Sequence, residues 1–324
     1  MRNLPIAIVL SMLNAHGLAR ERINWQRGPD LPSPRDHLGC GVVGGRFVVA
    51  GGAYWKNETK HFSAESIAYS PQARKWTRLP SLPRPSAYGA SAVYRDQLLI
   101  AGGMDQTGAL TQCIRLTAKQ GAACWERLPD LPHPVAGAKG AVVGSTFLII
   151  AGAPGFDQAG IKSAYRTVLE LDLLHPTAWK QRALPDKFAP RIGAATAAIG
   201  DRVYVFGGYG VQPDGTIANF GDAWLVRGGV CKRLRDMPVK ARWATAVALD
   251  SRYIGIFGGY GSDFLADVYL YDTQRDVYVK STSLPAPVCN AAGGMIGNTV
   301  YLAGGEDKQR HRSAALVMGV KPRL

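Results

Sequence analysis

The sequence predicts an all-β protein built as a closed six-bladed propeller, on three observations. An apolar run ending in Gly-Gly, or a relic of that pair, occurs six times. A second landmark, an aromatic residue followed by a Leu-Pro or Met-Pro turn, recurs in step with it. The N-terminal region carries a fourth-strand motif that has no blade before it, and the last unit stops after its third strand. Composition agrees. The 324 residues include 38 Gly and 20 Pro, and only 19% are charged, which suits a chain of many tight turns. A hydrophobic content of 47% excludes a mainly disordered chain.

The glycine signature appears at Gly51-Gly52, Gly102-Gly103, Gly152, Gly207-Gly208, Gly258-Gly259 and Gly304-Gly305, at intervals of 46 to 55 residues. The turn landmark appears as "WQRGPDLPSP", "WTRLPSLPRP", "WERLPDLPHP" and "WKQRALPDKFAP", then in weaker form as "CKRLRDMPVKA" and "YVKSTSLPAP". Each unit holds four short apolar runs. In the second unit they are "GASAVY", "QLLIAGG", "TQCIRLT" and "CWERLP". A lone four-stranded sheet cannot bury both of its faces, whereas sheets packed face to face around an axis can. The glycines then end the second strand where the backbone crowds its neighbours and needs conformations closed to other residues. The tryptophans fill space between blades.

These landmarks resemble Kelch repeats over essentially the whole chain beyond its first 19 residues. The resemblance implies a six-bladed Kelch β-propeller forming one domain over residues 20–324. The strand in "INWQRGP" is expected to complete the last blade and remove its exposed edge.

Residues 1–19 read as a secretory signal peptide. Arg2 supplies a positive start, Leu4 to Leu13 an apolar stretch too short to span a bilayer, and Gly17-Leu18-Ala19 a cleavage site. A buried N-terminal helix is the alternative. The signal reading implies a periplasmic or secreted protein, and no other segment is apolar enough to cross a membrane. Five cysteines leave one unpaired at least, and none has zinc-site spacing. Cys113 and Cys124 flank a hairpin turn and are expected to face each other as a cross-strand pair able to form a disulfide. The net charge of +14 serves solubility or draws an anionic small molecule, acidic polymer or surface. The densest basic cluster, "KQRHR", sits inside a repeat, which argues against a nucleic-acid partner.

Propeller ligands sit at one mouth of the axial channel, lined by the loops before each first strand and those between second and third strands. The former carry Arg35, Asp36 and His37, then Tyr88, Lys139, Arg191, Arg242 and Asn290. Arg35, Arg191 and Arg242 at equivalent positions would bring three cations around one axis, a costly arrangement unless an anion or acid meets them. A packing role between blades is the alternative for each. The long aromatic loops after Gly52 and Gly208 suit the wall of a sugar pocket or a mere cover for the core. In the sixth unit Glu306 follows the Gly-Gly directly and Arg312 lies six residues on, so an acid and a cation could face one ligand, or could form an ordinary loop ion pair.

A closer resemblance rests on short stretches. The segment Gly305-Glu306-Asp307-Lys308 followed by Arg312-Ser313 is similar to the Gly-Glu-x-Lys and later Arg of the bacterial sialic acid mutarotases (N-acetylneuraminate epimerases), including their cyclically permuted members. "VFGGYGVQPDGTIANFGDAW" and "SAYGAS" resemble two further family segments, with Ser86 in place of an Arg. A second family Gly-Gly-Glu is here "GGMD". The resemblance implies interconversion of the α and β anomers of N-acetylneuraminate, a small anionic sugar. Glu306 would be the general acid and base, and Arg312 would bind the carboxylate or a developing oxyanion. Arg35, Arg191, Arg242, Tyr88, Lys308 and Asn290 are the further candidate substrate contacts. No cofactor and no metal are needed, and a homodimer is compatible with the chain. The rival reading is a non-enzymatic secreted propeller that binds a glycan or a protein through the same mouth. A copper radical oxidase fits poorly, since no Cys stands out for a Tyr-Cys crosslink with paired His ligands.

Overall fold

A computed structural model describes residues 22–321, so the signal peptide expected over residues 1–19 lies outside the described residues. Six four-stranded antiparallel sheets form the blades. Blade 1 contains Gly39–Val43, Arg46–Ala50, Ser66–Ser70 and Lys75–Leu79. Blades 2 to 5 repeat this order, with first strands Ala90–Tyr94, Lys139–Val143, Ala195–Ile199 and Thr245–Ala248. Blade 6 supplies Ala292–Ile296, Thr299–Ala303 and Leu316–Val320, and takes its outer strand from Asn24–Arg27. Trp25 pairs with Gly319 and Gln26 with Met318. First strands of successive blades touch all the way round, the sixth against the first, so the ring closes as the sequence implied.

Apolar side chains of second and third strands fill the gaps between neighbouring blades. Leu99 and Cys113 of blade 2 pack with Phe147, Ile149 and Leu169 of blade 3. Phe47 and Tyr69 of blade 1 meet Tyr301 of blade 6. Burying each such side chain contributes about 1.5–3 kcal/mol. The outer-strand tryptophans do more than fill space. The indole N–H of Trp76 donates to the Pro29 carbonyl at 2.9 Å, Trp125 to Pro80 at 2.9 Å and Trp179 to Pro129 at 2.8 Å. Each thereby ties its blade to the Pro-containing turn of the blade before.

The double glycines have a specific task. The second residue of each pair donates its N–H to a carbonyl in the next blade: Gly52 to Ser86, Gly103 to Val135, Gly152 to Arg191, Gly208 to Ala241, Gly259 to Val288 and Gly305 to Arg35, at 2.7–2.9 Å. To reach it, the second position takes φ of +95° to +110°, a region close to glycine-only. A Cβ on Gly51 would lie 2.3 Å from the Ser86 carbonyl oxygen. In blade 3 the pair is Ala151-Gly152, with Ala151 at φ +59°. Gly152 is therefore the second glycine of its pair, and the residue lost in that copy is the first.

The hairpin carrying Cys113 and Cys124 departs from expectation. Its turn lies at Gln120-Gly121, both with positive φ, rather than midway between the cysteines. Register therefore places Cys113 opposite Leu128 and Cys124 opposite Thr117, and both thiols are free.

Ring closure rests on a short N-terminal segment in which Ile23 is fully buried against blade 5 and blade 6 side chains. Ile23→Ala should lower unfolding stability by about 2–5 kcal/mol, read as a shift in the urea midpoint with unchanged slope. A midpoint equal to wild type would mean that this strand does not close the ring.

Candidate functional site

The loops before the first strands are aligned by one isolated bridge per blade. Asp36 bridges Ala53, Ala87 bridges Met104, Ala136 bridges Ala153, Ile192 bridges Tyr209, Arg242 bridges Tyr260 and Cys289 bridges Glu306. The next residue in each loop has a left-handed backbone: His37, Tyr88, Gly137, Gly193, Trp243 and Asn290, with φ between +51° and +70°. Their peptide groups form a closed ring. The N–H of Tyr88 donates to the His37 carbonyl, Gly137 to Tyr88, Gly193 to Gly137, Trp243 to Gly193, Asn290 to Trp243 and His37 to Asn290, at 2.7–3.4 Å. This ring is the floor of the mouth.

The alignment corrects one expectation. Arg35 and Arg191 are equivalent to each other, but Arg242 lies one residue later, at the bridge position. A one-residue offset in extended chain turns the side chain to the opposite face. Arg35 and Arg191 are 1% and 0% exposed. Each donates to the carbonyl of the first glycine of its own blade, Gly51 at 3.1 Å and Gly207 at 3.0 Å. Arg35 also pairs with Glu65 at 2.8 Å, and Arg191 takes both oxygens of Asp222 between the rings of Phe188 and Phe220. No ring of three arginines forms, and neither Arg35 nor Arg191 reaches the mouth. Arg242 does.

The mouth is a pocket of about 640 Å³, a size suited to a small molecule. On one side stands Arg242, its guanidinium 4.5 Å from the ring centres of both Tyr209 and Tyr260. Its Nη1 donates to Asn219 Oδ1 at 2.8 Å, and Asn219 is held in turn by the carbonyls of Tyr260 and Gly261. The cation is thus oriented while its other terminal nitrogen has no partner among the described residues. On the neighbouring blade 6 the hairpin Glu306–Lys308 with His311–Arg312 sets Glu306 and Arg312 opposite each other on its two strands. This pairing explains the six-residue spacing read from the sequence.

Arg312 joins two acids, with Nη1 2.7 Å from Glu306 and Nε 2.7 Å from Asp36. Its N–H groups are not aimed along the lone pairs, so these are ion pairs rather than formed hydrogen bonds. Glu306 is held through Oε1 alone, which also accepts the Arg310 backbone N–H at 3.0 Å. Its Oε2 has no partner among the described residues. Lys60, from the blade 1 hairpin, donates to the Tyr88 hydroxyl at 2.9 Å and lies over the Trp55 ring. Burial lowers the Lys60 pKa, against the pull of Asp36 and Glu306. Burial likewise raises the Tyr88 phenol, which stays neutral. His37 stacks on Tyr88 at 3.8 Å and meets Trp243 edge-on at 4.7 Å. Its Nδ1 contacts Asp36 at 2.9 Å, yet burial outweighs that pull and lowers the imidazole to about 4.

Of the sequence candidates, the structure brings Glu306, Arg312, Arg242, Tyr88 and Asn290 to the mouth. Lys308 is exposed and does not line the pocket. Lys60, Trp55, Tyr209, Tyr260 and Asp36 are site residues that sequence reasoning did not select. The bridge alternation identifies Tyr209 and Tyr260, which stand two residues after the first glycine of their pairs, as Glu306 does. Among the described residues, the buried lining atoms without a hydrogen-bond partner include Asn290 Oδ1 and Trp55 Nε1. One accepts and one donates, and each is costly to leave unmet without ligand or water.

Fold and repeats together define a Kelch-repeat propeller with an acid, an ion-paired arginine and an aromatic-clamped arginine at one mouth. Its relatives are Kelch proteins and, over shorter stretches, sugar-acid epimerases. No protein-family model matches the chain. Beta-scruin of Limulus polyphemus is 24% identical over 275 residues, 83% of this chain and 24% of its own length. N-acetylneuraminate epimerase 1 of Escherichia coli O6:H1 is 30% identical over 106 residues, 28% of each chain. Kelch-like protein terF of Aspergillus terreus is 28% identical over 289 residues, 87% of this chain and 52% of its own. The match thus spans about a quarter to a half of the length of these relatives.

His37 gives the site a pH signature. The unfolded chain protonates it near pH 6.5, whereas the folded chain refuses the proton until about pH 4. Stability contributed by the neutral ring is present above pH 6.5 and is lost as pH falls toward 4, by on the order of 3 kcal/mol. Asn tolerates the left-handed backbone at this position and does not titrate. The His37→Asn variant should flatten that part of the stability profile, measured as urea midpoints from pH 7 to pH 4. Equal slopes in both proteins would mean that His37 is not buried neutral.

Proposed function

We propose that the chain is a mutarotase that interconverts the α and β anomers of N-acetylneuraminate or a closely similar sugar acid. The observation that carries this reading is one pocket lined, on adjacent blades, by Glu306 with no hydrogen bond on Oε2 among the described residues and by the oriented, incompletely used Arg242. The 30% identity with the Escherichia coli epimerase over 106 residues supports it. The signal-like N-terminus supports action in the periplasm or outside the cell.

In this reading Arg242 takes the substrate carboxylate, because Tyr209, Tyr260 and Asn219 hold its fork in place before the ligand arrives. The anomeric carbon, bonded to that carboxylate, then lies between Arg242 and Glu306. Glu306 Oε2 accepts the proton of the anomeric hydroxyl as the bond from the anomeric carbon to the ring oxygen breaks. The ring oxygen receives a proton from the Lys60 ammonium, whose lowered pKa eases its release. The product is the open-chain keto acid. Rotation of the keto group and the reverse proton transfers close the ring on the other face, so no proton is gained or lost overall. Arg312 holds Glu306 in place through an ion pair, and Asp36 fixes Arg312. Arg312 is therefore a positioning residue here rather than the carboxylate ligand expected from the sequence. The aromatic walls at Trp55 and Phe156 suit the apolar face of a sugar.

A second reading, a binding propeller without catalysis, rests on the long matches to beta-scruin and terF being to Kelch proteins not named as epimerases. NMR exchange on freshly released α-N-acetylneuraminate separates the two. Wild type should accelerate anomer exchange by about 10²- to 10⁴-fold over buffer. Glu306→Gln should return the rate to near the buffer value with binding retained. Arg242→Gln should raise KM at least tenfold with a smaller change in kcat. Binding of sialate with a wild-type exchange rate equal to buffer would support the binding reading, and absence of both would remove the sugar acid altogether.

A further inference from the structure

Behind the floor of the mouth the axial channel continues as a smaller cavity of about 140 Å³, lined by the first strands. Five blades place a small residue at the start of this strand, Gly39, Ala90, Ala195, Thr245 and Ala292, each paired with the last residue of its second strand. Blade 3 places Lys139 there, opposite Ile150. No acid lines the cavity. Among the described residues Lys139 Nζ makes no recorded hydrogen bond or ion pair. The titratable groups nearest it are the Cys40 thiol, which burial keeps protonated, and the His37 imidazole, and burial lowers the Lys139 pKa. Asp36, on the floor ring, is already engaged by Arg312 and His37.

The other polar groups add donors. Ser91 Oγ accepts the Cys40 N–H at 3.1 Å and lies within hydrogen-bonding reach of the Cys40 thiol. Thr196 Oγ1 is buried without a partner. Against these stand two neutral acceptors, Asn290 Oδ1 and one imidazole nitrogen of His37, neither able to neutralise a cation. Lys139 is half-buried, and an ammonium that faces this cavity with no acid beside it is left to water or to an anion. We propose that this cavity binds one small monovalent inorganic anion, of chloride size, on Lys139 with the hydroxyls of Ser91 and Thr196. A single cation and a volume sufficient for one ion and a few waters disfavour a divalent oxyanion.

The cavity adjoins the mouth pocket, sharing His37, Tyr88, Trp243 and Asn290 with it, but its proposed ligand does not depend on the sugar-acid reading. Crystals grown in bromide should show an anomalous peak against Lys139 Nζ in wild type and none in Lys139→Met. In solution, replacing gluconate by 0.15 M chloride at constant ionic strength should raise the wild-type thermal midpoint by about 2 °C or more. Lys139→Met should show no such response, and Thr196→Val should need more chloride for the same rise. Removing a half-buried charge does not threaten folding, and the Thr196 change is nearly isosteric. No bromide peak in wild type, equal midpoints in the two salts, or an undiminished chloride response in Lys139→Met would each overturn the proposal.

Discussion

Two rings of backbone hydrogen bonds running around the axis hold the blades in one phase, and everything at the mouth depends on them. In the outer ring the second glycine of each pair reaches forward to the next blade. In the inner ring each residue from His37 to Asn290 reaches back to the blade before. Both need left-handed backbone at fixed positions, which is why Gly-Gly persists while most of the surrounding sequence drifts. Side-chain packing between blades is tolerant of substitution, because apolar residues of similar volume exchange at modest cost. A peptide carbonyl 2.1 to 2.4 Å from a would-be Cβ is not tolerant.

The inner ring also decides which side chains meet. Because every loop enters it in the same conformation, the residue before the ring position faces the pocket and the residue two before faces the blade interior. Arg35 and Arg191 occupy the interior position and bind the glycine carbonyls. Arg242 occupies the pocket position and meets the ligand side. Ser86 lies at the interior position too, so the departure from the mutarotase pattern at that residue touches blade packing and not the pocket. A difference of one residue in phase thus separates a structural arginine from one free to bind.

Most of the fold was legible because it repeats. Six copies of a glycine pair and a turn landmark, with an orphan strand at the start, leave few arrangements open. The acid and arginine of blade 6 were legible as a pair for the same local reason, a hairpin that sets 306 opposite 312. Phase was not legible, since one residue of slip between degenerate copies changes no landmark. The Cys113 to Cys124 pairing failed on the same ground, because Gln120-Gly121 moved the turn off the midpoint. The loop after Gly52 was legible as a possible pocket wall, but Trp55 and Lys60 within it were not singled out, since its pattern does not say which side chains of the hairpin face inward.

The distribution of charge at the mouth follows from burial. Asp36 is fully buried and would be intolerable alone, so Arg312 must answer it. That obligation also holds Arg312 beside Glu306 and removes it as a free anion site. The Glu306 side chain is thereby oriented by a cation already spent on another partner. Arg242 has no acid against it, only two tyrosine faces and an amide, which orient a guanidinium without neutralising it. The pocket therefore presents a positive charge already answered, Arg312, and on the adjoining blade one with no acid against it among the described residues, Arg242, with the Lys60 ammonium on a further wall. A ligand that carries its own carboxylate beside an exchangeable hydroxyl satisfies both ends at once, whereas a neutral sugar would leave the Arg242 charge unanswered.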